Sequence, residues 1–142
     1  MISKTSIHAL RALAALAQVS NGDYAGAGDI ASAIGAPRNY LGKLLKALSH
    51  EGLVESHKGK GGGFRLARDP ATITLLDVME PIARVDRWTG CFLGRTTCSD
   101  DSPCLLHVRW AKARDAYFQF LKATTVADLA TQFVPNSPPM DQ

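Results

Sequence analysis

The chain has little cysteine, no long apolar run and no dense block of charge, and each shortage removes a class of protein. Across 142 residues the longest apolar segment, Ile7 to Val19, is interrupted by His8, Arg11 and Gln18. It therefore falls short of the eighteen or so consecutive apolar residues a membrane span requires, and no membrane partner is expected. There are only three cysteines, Cys91, Cys98 and Cys104. Three thiols cannot pair off, and no secretory signal precedes them, so reduced thiols and a cytoplasmic setting are expected rather than a disulfide framework. No Ser-His-Asp set, carboxylate pair or phosphate loop in the required context is present. An enzyme is accordingly the least supported class, and no small-molecule substrate is expected. Internal repeats are absent as well.

What remains is the make-up of one ordinary globular domain with an appendage, 46% hydrophobic and 20% charged. The net charge of +3 is unevenly distributed: residues 1–70 hold nine Lys and Arg against five Asp and Glu, residues 71–142 seven against eight. The first half is the better suited to meet a polyanion.

Periodicity predicts a helix from about Thr5 to Ala17, with Ile7, Leu10, Leu13, Ala14 and Ala17 on one face. A second is expected over Ala27–Ile34, stopped by a left-handed Gly35. Pro37 opens a third at its first position, with Tyr40, Leu41, Leu44, Leu45 and Leu48 inward, and Gly52 ends it with Leu53 packing back. Two helices joined by a tight Gly-containing turn outline a helix-turn-helix, although helix pairs of this kind also occur in plain bundles.

The following segment strengthens that outline. Leu53 to His57 reads as a strand, Lys58-Gly59-Lys60-Gly61-Gly62-Gly63 as a basic turn, and Phe64 to Ala67 as the returning strand. A basic hairpin after a helix-turn-helix is the wing of a winged helix. A nucleotide-binding glycine loop is the rival, but these glycines run into Phe64 and a strand instead of a Lys-Ser/Thr pair and a helix. A ligand-free Gly-rich hairpin is the plainer alternative. Outward residues of the third helix are Arg38, Asn39, Gly42, Lys43, Lys46 and His50, which could also be no more than a solvated face. Gly42 costs about 1 kcal/mol against Ala in a helix, and a close approach to DNA would justify it. The DNA-binding set read from the sequence is Arg38, Asn39, Tyr40, Lys43 and Lys46 on the helix, with Lys58, Lys60 and Gly61 on the wing.

A short helix from Thr74 to about Ala83 leads into the cysteines. Cys91, Cys98 and Cys104 lie in a polar, Gly- and Ser-containing loop that has no core of its own, and His107 follows. Buried inert cysteines are a poor fit to such a loop. Three thiolates and an imidazole within reach of one centre outline a metal site. The intervals are wide for a structural zinc site, so iron–sulfur is favoured over zinc. Ser102 and Pro103 read as the cap and first residue of a long helix to about Ala123, with Cys104 in its first turn. Its stripe of Leu106, Trp110, Ala113, Tyr117 and Phe120 or Leu121 is too large to leave wet, and packing on a second copy in a homodimer would cover it.

With these features in place, the chain resembles the IscR/NsrR-type regulators of the Rrf-two superfamily. The likeness rests on Gly35-x-x-x-Asn39-Tyr40-Leu41, Gly52-Leu53-Val54, Gly59-Lys60-Gly61-Gly62-Gly63-Phe64 and Cys104-Leu105-Leu106-His107. It implies a mainly α fold: a winged helix-turn-helix over 1–70 and a linker helix, cluster-binding loop and dimerisation helix over 71–132. Residues 133–142 then read as a disordered tail. It implies a homodimer on double-stranded DNA with a palindromic operator. It also implies a two-iron two-sulfur cluster held by Cys91, Cys98, Cys104 and His107, with a four-iron cluster as the other form. In the four-iron branch an Asp near the start of the partner's first helix is a ligand, and Ile7 stands there in this chain, beside His8. The resemblance departs too at Gly42 and Lys43, where IscR has a Glu-Gln pair that reads bases, so a different operator sequence is expected. A zinc-stabilised or thiol-based interaction module remains the alternative.

Overall fold

Ser3 starts the first helix, α1 (Lys4–Ala17), its hydroxyl accepting the backbone N–H of Ser6 at 3.1 Å. The structure is a computed structural model, and it describes residues 2–19, 22–85, 90–133 and 135. Ala9, Ala12 and Ala14 line the buried side of α1 with Leu13 and Leu16. Methyl-sized side chains let neighbouring helices come close, and α1 is packed by α2, α4 and α6 as introduced below.

Helix α2 (Ala27–Ile34) ends at Gly35, whose φ of 70° is the left-handed conformation that glycine adopts without penalty. Pro37 is the N-cap of α3 (Arg38–His50), one position before the place the sequence assigned it. Leu41, Leu44, Leu45 and Leu48 of α3 are buried, and each such leucine contributes roughly 1.5–3 kcal/mol of burial. The wing follows as an antiparallel pair, β1 (Val54–His57) and β2 (Gly63–Leu66), with Val54 opposite Leu66 and His57 opposite Gly63. Ala25 adds a one-residue third rung by exchanging two backbone hydrogen bonds with Phe64, at 2.8 and 2.7 Å. The chain is thus mainly helical, a winged helix with a small two-stranded sheet.

The core does not stop at the wing. After a 3-10 turn at Pro70–Thr72, Thr74 caps α4 (Leu75–Ala83) through a capping box with Asp77. Pro81 inside α4 removes a helical N–H, and the helix ends two residues later. Ile73 and Val78 share the first hydrophobic cluster with α1, α2 and α3. Helix α5 (His107–Ala123) runs next, and then α6 (Val126–Ala130), which the sequence reading did not anticipate. Thr125 caps α6 by a second capping box, with Asp128, and Thr74 and Thr125 bridge, so the starts of α4 and α6 are stitched together. Val126 is wholly buried in the same cluster as Ile73.

Two expectations change here. The long helix starts at His107, not Pro103, and Leu106 is its N-cap; Ser102 is drawn into a turn with Ser99 instead (N–O 3.1 and 3.3 Å). Cys104 therefore precedes the helix. Phe133 packs on the core, while Gln18 donates to its carbonyl at 2.9 Å. The remaining tail expectation, apart from Pro135, lies outside the described residues.

Candidate functional site

Helix α5 contributes only Leu121 to the buried set, in a small second cluster with Leu75, Met79 and Val85. Its C-terminal half is anchored on α4. Its N-terminal end carries the cysteine segment, and Leu105 and Val108 are exposed there at 93% and 62%.

The segment folds back so that the three sulfurs lie within 4.8 Å of one another. Cys91 and Cys104 are paired at 3.6 Å between sulfurs. Cys98 Sγ lies 3.2 Å from His107 Nδ1. The four donors named from the sequence therefore converge on one point. All three cysteines are free thiols and half-buried. They line a cavity of about 30 Å³ with Phe92, His107, Trp110 and Arg114.

Backbone groups already favour anionic sulfur at this point. At Cys91 the backbone at Arg95, and with less weight the backbone at Leu93 and the thiols of Cys104 and Cys98, outweighs desolvation and brings the thiol down to about 7. At Cys98 the backbone at Cys104 pulls the same way. Desolvation and the adjacent Cys104 and Cys91 sulfurs overcome it, so that thiol titrates high. Packed thiols cannot all ionise without a counter-charge, which a cation among them would supply.

Four residues of the site gave no signal in the sequence. Asp100 Oδ1 sits 2.8 Å from His107 Nε2. Trp110 donates its indole N–H to the Gly90 carbonyl at 2.9 Å and packs on Phe92, with ring centroids 5.3 Å apart. Arg114 reaches the cavity from one turn further along α5. An acidic residue in a polar loop and an aromatic in a helical stripe look alike whether or not they serve a site.

The second candidate surface is the exposed side of α3 together with the wing. Arg38, Asn39, Lys43 and Lys46 are exposed, and so are Lys58, Lys60 and Gly61 at the hairpin tip. Tyr40 is half-buried, with its hydroxyl 3.3 Å from His8 Nδ1, so its ring ties α3 to α1. The Arg38 guanidinium lies over Gly28 of α2, where a Cβ would come within 3.2 Å of it. The base of the wing is braced: Arg65 pairs with Glu55 at 2.9 Å, covers the Tyr24 ring at 4.6 Å, and Tyr24 packs on His57.

Residues 2–132 match the Rrf2 family model, described as an iron-dependent transcriptional regulator. A protein of Aquifex aeolicus (strain VF5) that carries the name of an HTH-type transcriptional regulator is 36% identical over 91% of this chain and 90% of its own length. The HTH-type transcriptional regulator IscR of Escherichia coli O1:K1 / APEC is 32% identical over 71% of this chain and 62% of its own. Among solved structures, CymR (YrzC), the global cysteine regulator of B. subtilis, superposes with a TM-score of 0.76 at 27% identity, covering 93% of this chain and 97% of that one. T. potens IscR, at 24% identity, shares the fold with a TM-score of 0.74 over 93% of this chain and 87% of that one. Among the described residues no helix is long and apolar enough to cross a membrane. These relatives are regulators rather than enzymes, and the chain belongs to the Rrf2 family of winged-helix transcriptional regulators.

Proposed function

We propose that this regulator binds a palindromic operator as a homodimer and that an iron–sulfur cluster held by Cys91, Cys98, Cys104 and His107 sets its affinity. The convergence of three sulfurs within 4.8 Å, with the His107 ring beside them, carries the reading. The donor chemistry fits the group: Cys91, Cys98 and Cys104 would supply three thiolates and His107 an imidazole, four ligands of the kinds such a cluster takes. When bound, such a cluster supplies one-electron redox chemistry and a crosslink that oxidants or nitric oxide can break.

The chain's own residues transmit the change. The 91–104 segment contributes no residue to either hydrophobic cluster and is held by a few polar contacts and the packing of Phe92 on Trp110, so ligation would add to its order. Its order decides how the N-terminal end of α5 is seated. Ala113 and Phe120 of α5, seven residues apart and so on one side of the helix, are exposed, Phe120 at 51%, a side that a second copy would cover. Moving the helices of such a pair alters the spacing of two α3 helices, and a ligand that favours one spacing shifts the equilibrium toward it. On DNA, Arg38, Asn39 and Lys43 address the major groove from the first half of α3, with Tyr40 holding that helix to α1. Lys46, Lys58, Lys60 and Gly61 meet the backbone or minor groove.

The same donor set suits one tetrahedral zinc ion, in which two thiolates stand about 3.8 Å apart, and the 3.6 Å between Cys91 and Cys104 matches that as well. Purification without air separates the two. A brown chain with equal iron and sulfide, whose operator affinity changes when the cofactor is removed, is the expected result. A colourless, zinc-containing chain, or one whose affinity is indifferent to all three Cys→Ser changes, overturns the proposal.

A further inference from the structure

We infer that Asp100 is a positioning residue: it fixes the imidazole of His107 so that Nδ1, not Nε2, is the nitrogen offered to the thiol cluster. The two ring nitrogens have separate partners. Nε2 lies 2.8 Å from Asp100 Oδ1, and Nδ1 lies 3.2 Å from Cys98 Sγ. A carboxylate only accepts hydrogen bonds, so the ring proton belongs on Nε2, and the lone pair of the neutral ring is on Nδ1, facing the sulfurs.

Local structure holds this contact. Asp100 follows Cys98 by two residues and enters the Ser99–Ser102 turn, in which the Ser102 N–H donates to Ser99 O at 3.1 Å and reaches Ser99 Oγ at 3.2 Å. The His107 N–H donates to Cys104 O at 3.1 Å, which ties the first residue of α5 to the end of the same segment. Asp100 is itself fully exposed while the His107 side chain is 21% exposed, so the carboxylate grips the solvent-side edge of a ring whose other edge is covered. A carboxylate on the distal nitrogen orients a metal-binding imidazole and increases its basicity, and such partners typically carry 10–100-fold in metal affinity. Asp100 would thus strengthen the one donor in the set that is not a thiolate.

This inference rests on His107 being a ligand, and the test separates the two ideas. The full chain is compared with Asp100→Ala, Asp100→Asn, Asp101→Ala and His107→Ala. In the metal-free state, nitrogen-15 resonances report which ring nitrogen of His107 carries the proton. The parent and Asp101→Ala should show Nε2–H with Nδ1 unprotonated, and Asp100→Ala should lose that bias. After anaerobic reconstitution with iron and sulfide, Asp100→Ala should release iron to a chelator about tenfold faster or more. Its midpoint potential should rise, and the nitrogen hyperfine coupling of the reduced cluster should change. Asp100→Asn should fall between, because its amide oxygen still accepts but carries no charge. Parental nitrogen-15 shifts, or a parental potential and coupling in Asp100→Ala even with faster release, would overturn the inference and leave Asp100 as a loop tether only. A His107→Ala chain that keeps the parental spectrum, potential and release rate removes the ligand reading itself, whatever the Asp100 variants do.

Discussion

The indole N–H of Trp110 donates to the Gly90 carbonyl at 2.9 Å, joining the entry of the cysteine segment to the first turn of α5. Phe92 lies against the same indole. Trp110→Phe keeps an aromatic ring and deletes the donor. The loss should be about 1 kcal/mol or less, because Gly90 is exposed and water can replace the bond. The larger effect should be local: a looser segment lets reagents reach Cys91, Cys98 and Cys104 faster. Thiol modification of the metal-free chain, read beside its denaturation midpoint, checks this. An unchanged modification rate would mean the Trp110 bond does not hold the segment.

Two glycines make opposite predictions. Gly63 has φ of 139°, and a methyl group there would strike the Ala25 carbonyl, the group that accepts from Phe64 and completes the sheet's third rung. Gly63→Ala should therefore destabilise the fold by about 1–3 kcal/mol and disturb the wing, measured by urea denaturation.

Gly42 is the contrast, since nothing lies within 4 Å of a Cβ built on it in the middle of α3. Gly42→Ala should stabilise the chain by up to about 1 kcal/mol. If α3 meets DNA as proposed, operator binding should weaken even so. A variant that is more stable and binds as tightly as the parent would put Gly42 off the interface.

The helical boundaries that proved legible are those decided locally. Gly35 and Gly52 stop helices because their own backbone takes the left-handed conformation, and the leucines of α3 keep their spacing in any tertiary setting. Ser102-Pro103 is an equally good local start signal, yet the helix begins at His107. Drawing three cysteines and His107 together requires residues 99–104 to turn back, which is a nonlocal demand. Helix α6 is five residues long, too short to show a period. Thr125-x-x-Asp128 was readable as a capping box, but its pairing with Thr74 across fifty residues was not. For the site, residue types pointed to Cys91, Cys98, Cys104 and His107. Nothing in the chain distinguished Asp100 from Asp101, since only the fold puts one of them beside the ring.

Lys58 and Lys43 separate two kinds of contact. Both are exposed, Lys58 at the start of the hairpin tip and Lys43 in mid-helix. If Lys58 neutralises one phosphate, Lys58→Ala should weaken every DNA sequence alike and reduce the slope of log K against log salt by about 1. Lys43→Ala should instead change which operator bases are preferred, by about 1–3 kcal/mol at the affected position. Titrations at several salt concentrations against a set of single-base operator variants test both. A Lys58→Ala chain with the parental salt slope would remove that lysine from the interface.

His8 gives the fold a calculable response to acid. Burial, and then the positive charges of Lys4 and Arg11, lowers its pKa below the ordinary value of 6.5, while Nδ1 sits 3.3 Å from the Tyr40 hydroxyl. The unfolded chain therefore takes up a proton at His8 before the native chain does. Stability from the neutral ring is complete above pH 6.5 and declines as pH falls through the lowered native value. Because the ring is only partly buried, the decline should be small, and it is best isolated as a difference. His8→Gln keeps a polar group beside Tyr40 but cannot titrate. Between pH 7.5 and 5 the parent should lose stability relative to this variant, with the divergence beginning near the unfolded pKa, about 6.5. Parallel curves over that range would show that His8 binds its proton equally in both states, and that the α1–α3 junction is not the source of any acid sensitivity the protein displays.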